Sequence, residues 1–194
     1  MMAMQHLVNL LEQMILLLNK VKEHDLAYPA TRLRNMSYRE NNTFIVSLDE
    51  LGQKVFRQFF HIGCVANELK LRSFKNLNNR QINELVQNIV QMILENDRWL
   101  ADYLGDYPLT RINIDDYQLI SNGVFEVRSG LQFMIDLFLG LDDKLDLILN
   151  DHNIGLTPDF DRPIQLIKNE FNIKYQIKKN EWTDKIPKHH TWWP

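Results

Sequence analysis

MQHLVNLLEQMILLLNKV, residues 4–21, decides the fold class. Met4, Leu7, Leu11, Met14, Leu18 and Val21 recur at alternating steps of three and four, the seam of a helix packed at a shallow angle on a neighbour. Val8, Leu10, Ile15 and Leu17 widen that seam until only a narrow strip around Gln5, Asn9, Glu12 and Gln13 stays polar. Such a helix needs cover on two sides. The reading predicts either a central place in a bundle or a face shared with a second copy of the chain, with Leu10 and Leu17 as partner contacts.

Three further patterns read as long helices. Ser47-Leu-Asp-Glu50 has capping-box spacing, with Val46 and Leu51 as a staple, so a second helix is expected from Ser47, burying Leu48, Leu51, Val55, Phe59, Ile62, Ala66 and Leu69. Asn78 is the expected cap of a third, with Leu77 and Ile82 as its staple; it buries Ile82, Leu85, Val86, Ile89, Ile93 and Leu100 before Gly105 stops it. A fourth is expected from Val124 to Leu149 on an unbroken heptad seam, with Gly130 and Gly140 as places where another helix comes close. Ile164, Ile167 and Phe171 suit a short fifth helix. Beyond it Phe171, Ile173, Tyr175 and Ile177 alternate like a strand, for which residues 42–46 (NTFIV) and 110–114 (TRINI) are possible partners.

The fold class expected is therefore all-α: an antiparallel bundle of four long helices, a short fifth helix and a small extended C-terminal element. Residues 1–170 form the bundle, and residues 171–194 form an aromatic and basic tail that packs on it or on a partner subunit. The 45% hydrophobic content excludes disorder, and low Gly and Pro favour helices over a many-turned sandwich. One cysteine, Cys64, closes no intramolecular disulfide. No secretory signal pattern and no membrane span is legible, so the expected compartment is the cytoplasm. Residues 101–161 hold 12 acidic and 3 basic residues, a local charge of −9; residues 162–188 hold 7 basic and 3 acidic, +4. Acidic middle and basic tail should attract each other, within one chain or between two.

Chemistry is harder to find. The tail ends KIPKHHTWWP (185–194). Adjacent residues such as His189 and His190 point to different sides in regular structure, and no second ligand pair at metal spacing accompanies them, so they are not expected to share an ion. Trp182, Trp192 and Trp193, interleaved with Lys179, Lys185 and Lys188, read as a packing or partner surface.

Arg57, His61, Cys64 and Glu68 lie at helical spacing. Arg57-Gln-Phe-Phe-His61 resembles the Arg-x4-6-His signature of HEPN ribonucleases, helical bundles that cleave RNA with these two side chains, although only three residues separate the pair here. That resemblance implies RNA cleavage by Arg57 and His61; separately, Lys70, Arg72, Lys75 and Arg80, with Arg32, Arg34 and Arg39, read from their charge as a phosphate-facing edge for RNA. Asp142, Asp143 and Asp146 form a DDxxD string that could hold Mg²⁺ with a diphosphate, but the second, facing motif such enzymes need is absent. No nucleotide fingerprint, nucleophile elbow or kinase signature is present. The leading expectation is a non-catalytic protein-interaction module without cofactors: an adaptor, inhibitor or regulatory subunit that self-associates. Nucleic acid is a possible but less favoured partner. An RNA-directed protein and a Mg²⁺-dependent diphosphate hydrolase are the alternatives.

Overall fold

The computed structural model describes residues 2–27, 38–97, 122–155, 161 and 181–190. Among the described residues five α-helices have given bounds: α1 (Met2–Ala27), α2 (Tyr38–Glu68), α3 (Arg80–Glu95), α4 (Asn122–Phe138) and α5 (Asp143–Gly155). A 3₁₀ turn, Thr183–Lys185, follows, and no strand occurs among the described residues. Helix α2 lies between α1 and α4, α1 also packs on α3, and α5 touches α3 and α4.

The seam on α1 is real, and this chain covers it. Leu7, Val8, Leu10, Leu11, Met14, Leu18 and Val21 are all buried, and Met4, Ile15 and Leu17 are partly buried against the same core. Leu10 is therefore a core residue at 5% exposure rather than a surface offered to a partner. The outward strip carries Gln5, Asn9, Glu12 and Gln13, with Leu16 standing among them at 63% exposure. A buried amide ties α1 to α2: Gln58 Nε2 donates to the Leu10 carbonyl at 2.7 Å and to Gln13 Oε1 at 3.3 Å. With α2 and α3 as cover, the width of this seam calls for no second subunit.

Helix α2 begins at Tyr38, nine residues before the expected Ser47 cap, and residues 42–46 are helical rather than extended. Their β-branched side chains disfavour helix by only a few tenths of a kcal/mol each, and an established helix adds a hydrogen bond for every residue it propagates through. In α3 the cap is Asn79, one residue beyond the expected one; its Oδ1 accepts from Ile82 N at 3.1 Å. The helix ends at Glu95 on Asn96, whose Nδ2 donates to the Met92 carbonyl at 2.6 Å, well short of Gly105.

The expected 124–149 helix is two helices. Gly140 takes a left-handed φ of +83°, which ends α4, and Asp142 caps α5 by accepting from Lys144 N at 2.9 Å and Leu145 N at 3.1 Å. Asp146 Oδ1 accepts from Gly140 N at 2.6 Å and closes the corner. The aspartates that looked misplaced at a helix C-terminus thus sit at a helix N-terminus, where their charge suits the dipole. The short fifth helix around 164–171, the alternating segment 171–177, the 110–114 segment, Leu100 and Gly105 lie outside the described residues.

Helices α2 and α4 meet most closely. A Cβ at Gly130 would stand 1.9 Å from the Phe56 carbonyl oxygen, and one at Gly63 would stand 1.9 Å from Phe133 Cγ. Close approach was expected at Gly130 and is found there. Phe138 fills the end of this interface, edge-on to Phe59 at 5.6 Å and to Phe74 at 5.3 Å. Backbone Phe74 N donates to the Leu137 carbonyl at 3.0 Å, tying the α2–α3 connection to α4.

Urea unfolding of three variants checks this arrangement. Leu10→Ala is expected to lose about 2–5 kcal/mol, and Leu16→Ala less than about 0.5 kcal/mol. Gly130→Ala is expected to lose about 1–3 kcal/mol by overpacking, although alanine favours an isolated helix by roughly 1 kcal/mol.

Candidate functional site

The described part of the C-terminal segment, residues 181–190, lies against α2 and α4 of its own chain. Trp182 stacks on His61 with ring centroids 4.5 Å apart and planes at 23°. The Trp182 carbonyl is 4.0 Å from Cys64 Sγ, and Lys185 Nζ lies 5.2 Å from the indole centroid. Asn67 Nδ2 donates to the Lys185 carbonyl at 2.9 Å, while Lys185 pairs with Glu68 at 2.8 Å. The basic tail therefore finds one of its counter-charges on α2, outside the acidic middle of the chain. Pro187 is buried, and a turn in which His190 N donates to the Pro187 carbonyl at 3.0 Å aims the following side chains at α4.

That turn overturns the expectation that the two histidines diverge. His189 Nε2 is 3.0 Å from Asp136 Oδ2, and His190, only 3% exposed, sets Nδ1 3.2 Å from Ser129 Oγ. The imidazoles stand perpendicular with centroids 4.7 Å apart, and His190 rests 4.5 Å from the Phe133 ring centroid. One ligand atom from each of Asp136, His189 and His190 falls within 4.8 Å of the others. Burial, followed by the neighbouring His189 and Arg128, lowers the pKa of His190 to about 3, so its ring is neutral at ordinary pH.

A polar ladder one helical turn per rung holds the α4 side of this cluster. Arg128 Nε and Nη2 donate to the two Asp161 carboxylate oxygens at 2.8 and 3.2 Å, and its Nη1 donates to Gln132 Oε1 at 3.3 Å. Gln132 Nε2 then donates to Asp136 Oδ1 at 2.9 Å. An open depression of about 340 Å³ adjoins, lined among others by Asn67, Leu71, Arg72, Asp136 and His189.

The residues singled out from the sequence meet different fates. Arg57 Nε is ion-paired with Glu126 at 2.9 Å, and burial raises the Glu126 pKa against the pull of that arginine. His61 lies under Trp182; burial lowers its pKa, and the Arg57 charge lowers it further. Lys70, Arg72, Lys75 and Arg80 are exposed around the α2–α3 connection, with Arg80 paired to Glu84 one turn on. Asp142 and Asp146 are spent on the α4–α5 corner, and Asp143 is exposed. Leu17 is partly buried on the core. Trp192, Trp193, Arg32 and Arg34 lie outside the described residues, and Arg39 is described only as backbone of α2. Asp136 and Ser129 were not anticipated. Their sole sequence signal is the spacing Arg128, Gln132, Asp136 along one face of α4.

No protein-family model matches the chain, and no curated protein or solved structure matches it significantly. No helix among the described residues is long and apolar enough to cross a membrane.

Two measurements test this docking. Burial pushes the Cys64 thiol far above its ordinary pKa, so the folded protein is expected to resist alkylation at mildly alkaline pH. Trp182→Ala is expected to speed that labelling by about tenfold as the segment opens. The second is pH dependence. His61 binds its proton less readily folded than unfolded, so its contribution is present above the unfolded value of 6.5 and is lost as pH falls toward its folded pKa. Urea midpoints of His61→Gln should fall less steeply below that pH than those of the parent protein.

Proposed function

We propose that this chain is a non-catalytic helical module, built on an antiparallel bundle, that binds another protein as an adaptor, inhibitor or regulatory subunit through its C-terminal segment. One observation carries the reading. Segment 181–190 is anchored from beneath by half-buried Trp182 and buried Pro187 and His190, while Glu181, Asp184, Lys188 and His189 face outward. Anchors buried in the chain's own bundle hold the exposed charged strip in place, and fixed charges steer and orient a charged partner. The enzymatic alternatives lose support at the same time. Arg57 is engaged by Glu126 and His61 by Trp182, and Asp142 and Asp146 serve the backbone of a helix junction. Because α1 is covered by α2 and α3, the partner proposed is a different protein rather than a second copy of this one.

Co-purification of the full chain from its native host tests the reading against a Lys188→Glu, Asp184→Lys variant. A stoichiometric protein is expected with the parent and is expected to fall by about tenfold or more with the charge-reversed chain. Incubation with single-stranded RNA should give no cleavage by the parent or by His61→Ala. Cleavage by the parent that His61→Ala abolishes would sink the proposal.

A further inference from the structure

We propose that Asp136, His189 and His190 form a three-ligand site for a borderline divalent transition ion of the zinc type, which pins the C-terminal segment to α4. Three observations converge. The first is donor proximity: the ligand atoms lie within 4.8 Å of one another, and the Asp136 and His189 donors are already 3.0 Å apart. Tetrahedral zinc with bonds of about 2.0–2.2 Å places its donors roughly 3.3–3.6 Å apart, so no pair has to close by more than about 1.5 Å, a side-chain rotation rather than a refolding. The second is the donor set. Two imidazoles and one carboxylate suit zinc and its neighbours, whereas magnesium and calcium take oxygen ligands.

The third is the outer shell. Metal-binding histidines and carboxylates are held by hydrogen bonds from behind, and this arrangement is present before any ion arrives. Ser129 engages the His190 ring at Nδ1, and Gln132 holds Asp136 Oδ1 while His189 meets the other carboxylate oxygen. Arg128 holds Gln132 in turn. Asp136 and His189 also line the open depression, which gives an ion a route from solvent. Three protein ligands leave one position for water or an incoming donor.

A hydrogen bond between His189 and Asp136 would exist without any metal, so the test must separate the two. The tag-free full chain, stripped with chelator and returned to near-neutral buffer, is titrated calorimetrically with zinc chloride, and its melting temperature is followed with zinc or magnesium. Binding near one ion per chain is expected, with a melting rise of about 5–10 °C at a hundredfold excess over Kd and none with magnesium. Because the His189 side chain is half exposed, His189→Gln folds normally and is expected to weaken binding at least tenfold, as is Asp136→Asn. Asp143→Asn, at an exposed carboxylate on α5, should bind as the parent does. Absence of zinc binding by the parent overturns the site. So does zinc binding that survives in His189→Gln, and so does an equal response to magnesium.

Discussion

A phenyl ring standing where residue 63 has no side chain is the contact on which the rest depends. Phe133 of α4 occupies the space that a Cβ at Gly63 would need, while Gly130 of α4 accepts the Phe56 carbonyl of α2. The two absences lie on opposite helices, so each helix sinks into the other, and no interior side chain can grow without separating them. From that depth the other placements follow. Phe138 reaches Phe59 and Phe74 at the end of the interface, and the α2–α3 connection is drawn onto α4. Phe133 also presents a ring surface outward, and His190 rests on it.

The C-terminal segment thus inherits its position from packing between two other helices. His190 is set by Phe133 beneath it and Ser129 beside it, and His189 is set by Asp136, one turn beyond Gln132 on the same face. A change at residue 63 or 130 would therefore shift the histidines without touching them. On α2 the segment is fixed separately, through His61, Cys64 and Glu68, which recur at steps of three and four, and through Asn67 beside them.

Patterns within one helix were legible in the sequence, and junctions were less so. The α1 seam and the buried face of α3 follow from periodicity, because a side chain's direction on a helix is fixed by the 3.6-residue turn. Ser47 shows the limit: Ser-x-x-Glu signals a start only if the preceding residues leave the helix, and nothing local compels them to. In Gly140-Leu-Asp142 the opposite error arises. Gly then Asp is a stop followed by a cap, yet the hydrophobic repeat runs across both and masks the break. The histidine pair failed for a third reason. Divergence of neighbours holds in regular helices and strands, whereas a turn can bring consecutive rings to one place. Asp136 was invisible because its partners are 53 residues away in sequence.

The segment differs from the core in the kind of contact that holds it. Helices α2 and α4 are joined by buried aromatic rings, whereas the segment is held by a stacked imidazole, a backbone-directed amide, the Lys185–Glu68 ion pair, the His189–Asp136 hydrogen bond and two buried residues, Pro187 and His190. Exposed ion pairs contribute at most about 1 kcal/mol each, so the buried Pro187 and His190 carry most of the segment's attachment. Its two deepest anchors, Pro187 and His190, lie on either side of His189. An interaction that strengthened the histidine end would hold the whole segment, because Trp182 is only seven residues before His189 and is itself stacked on His61 of α2.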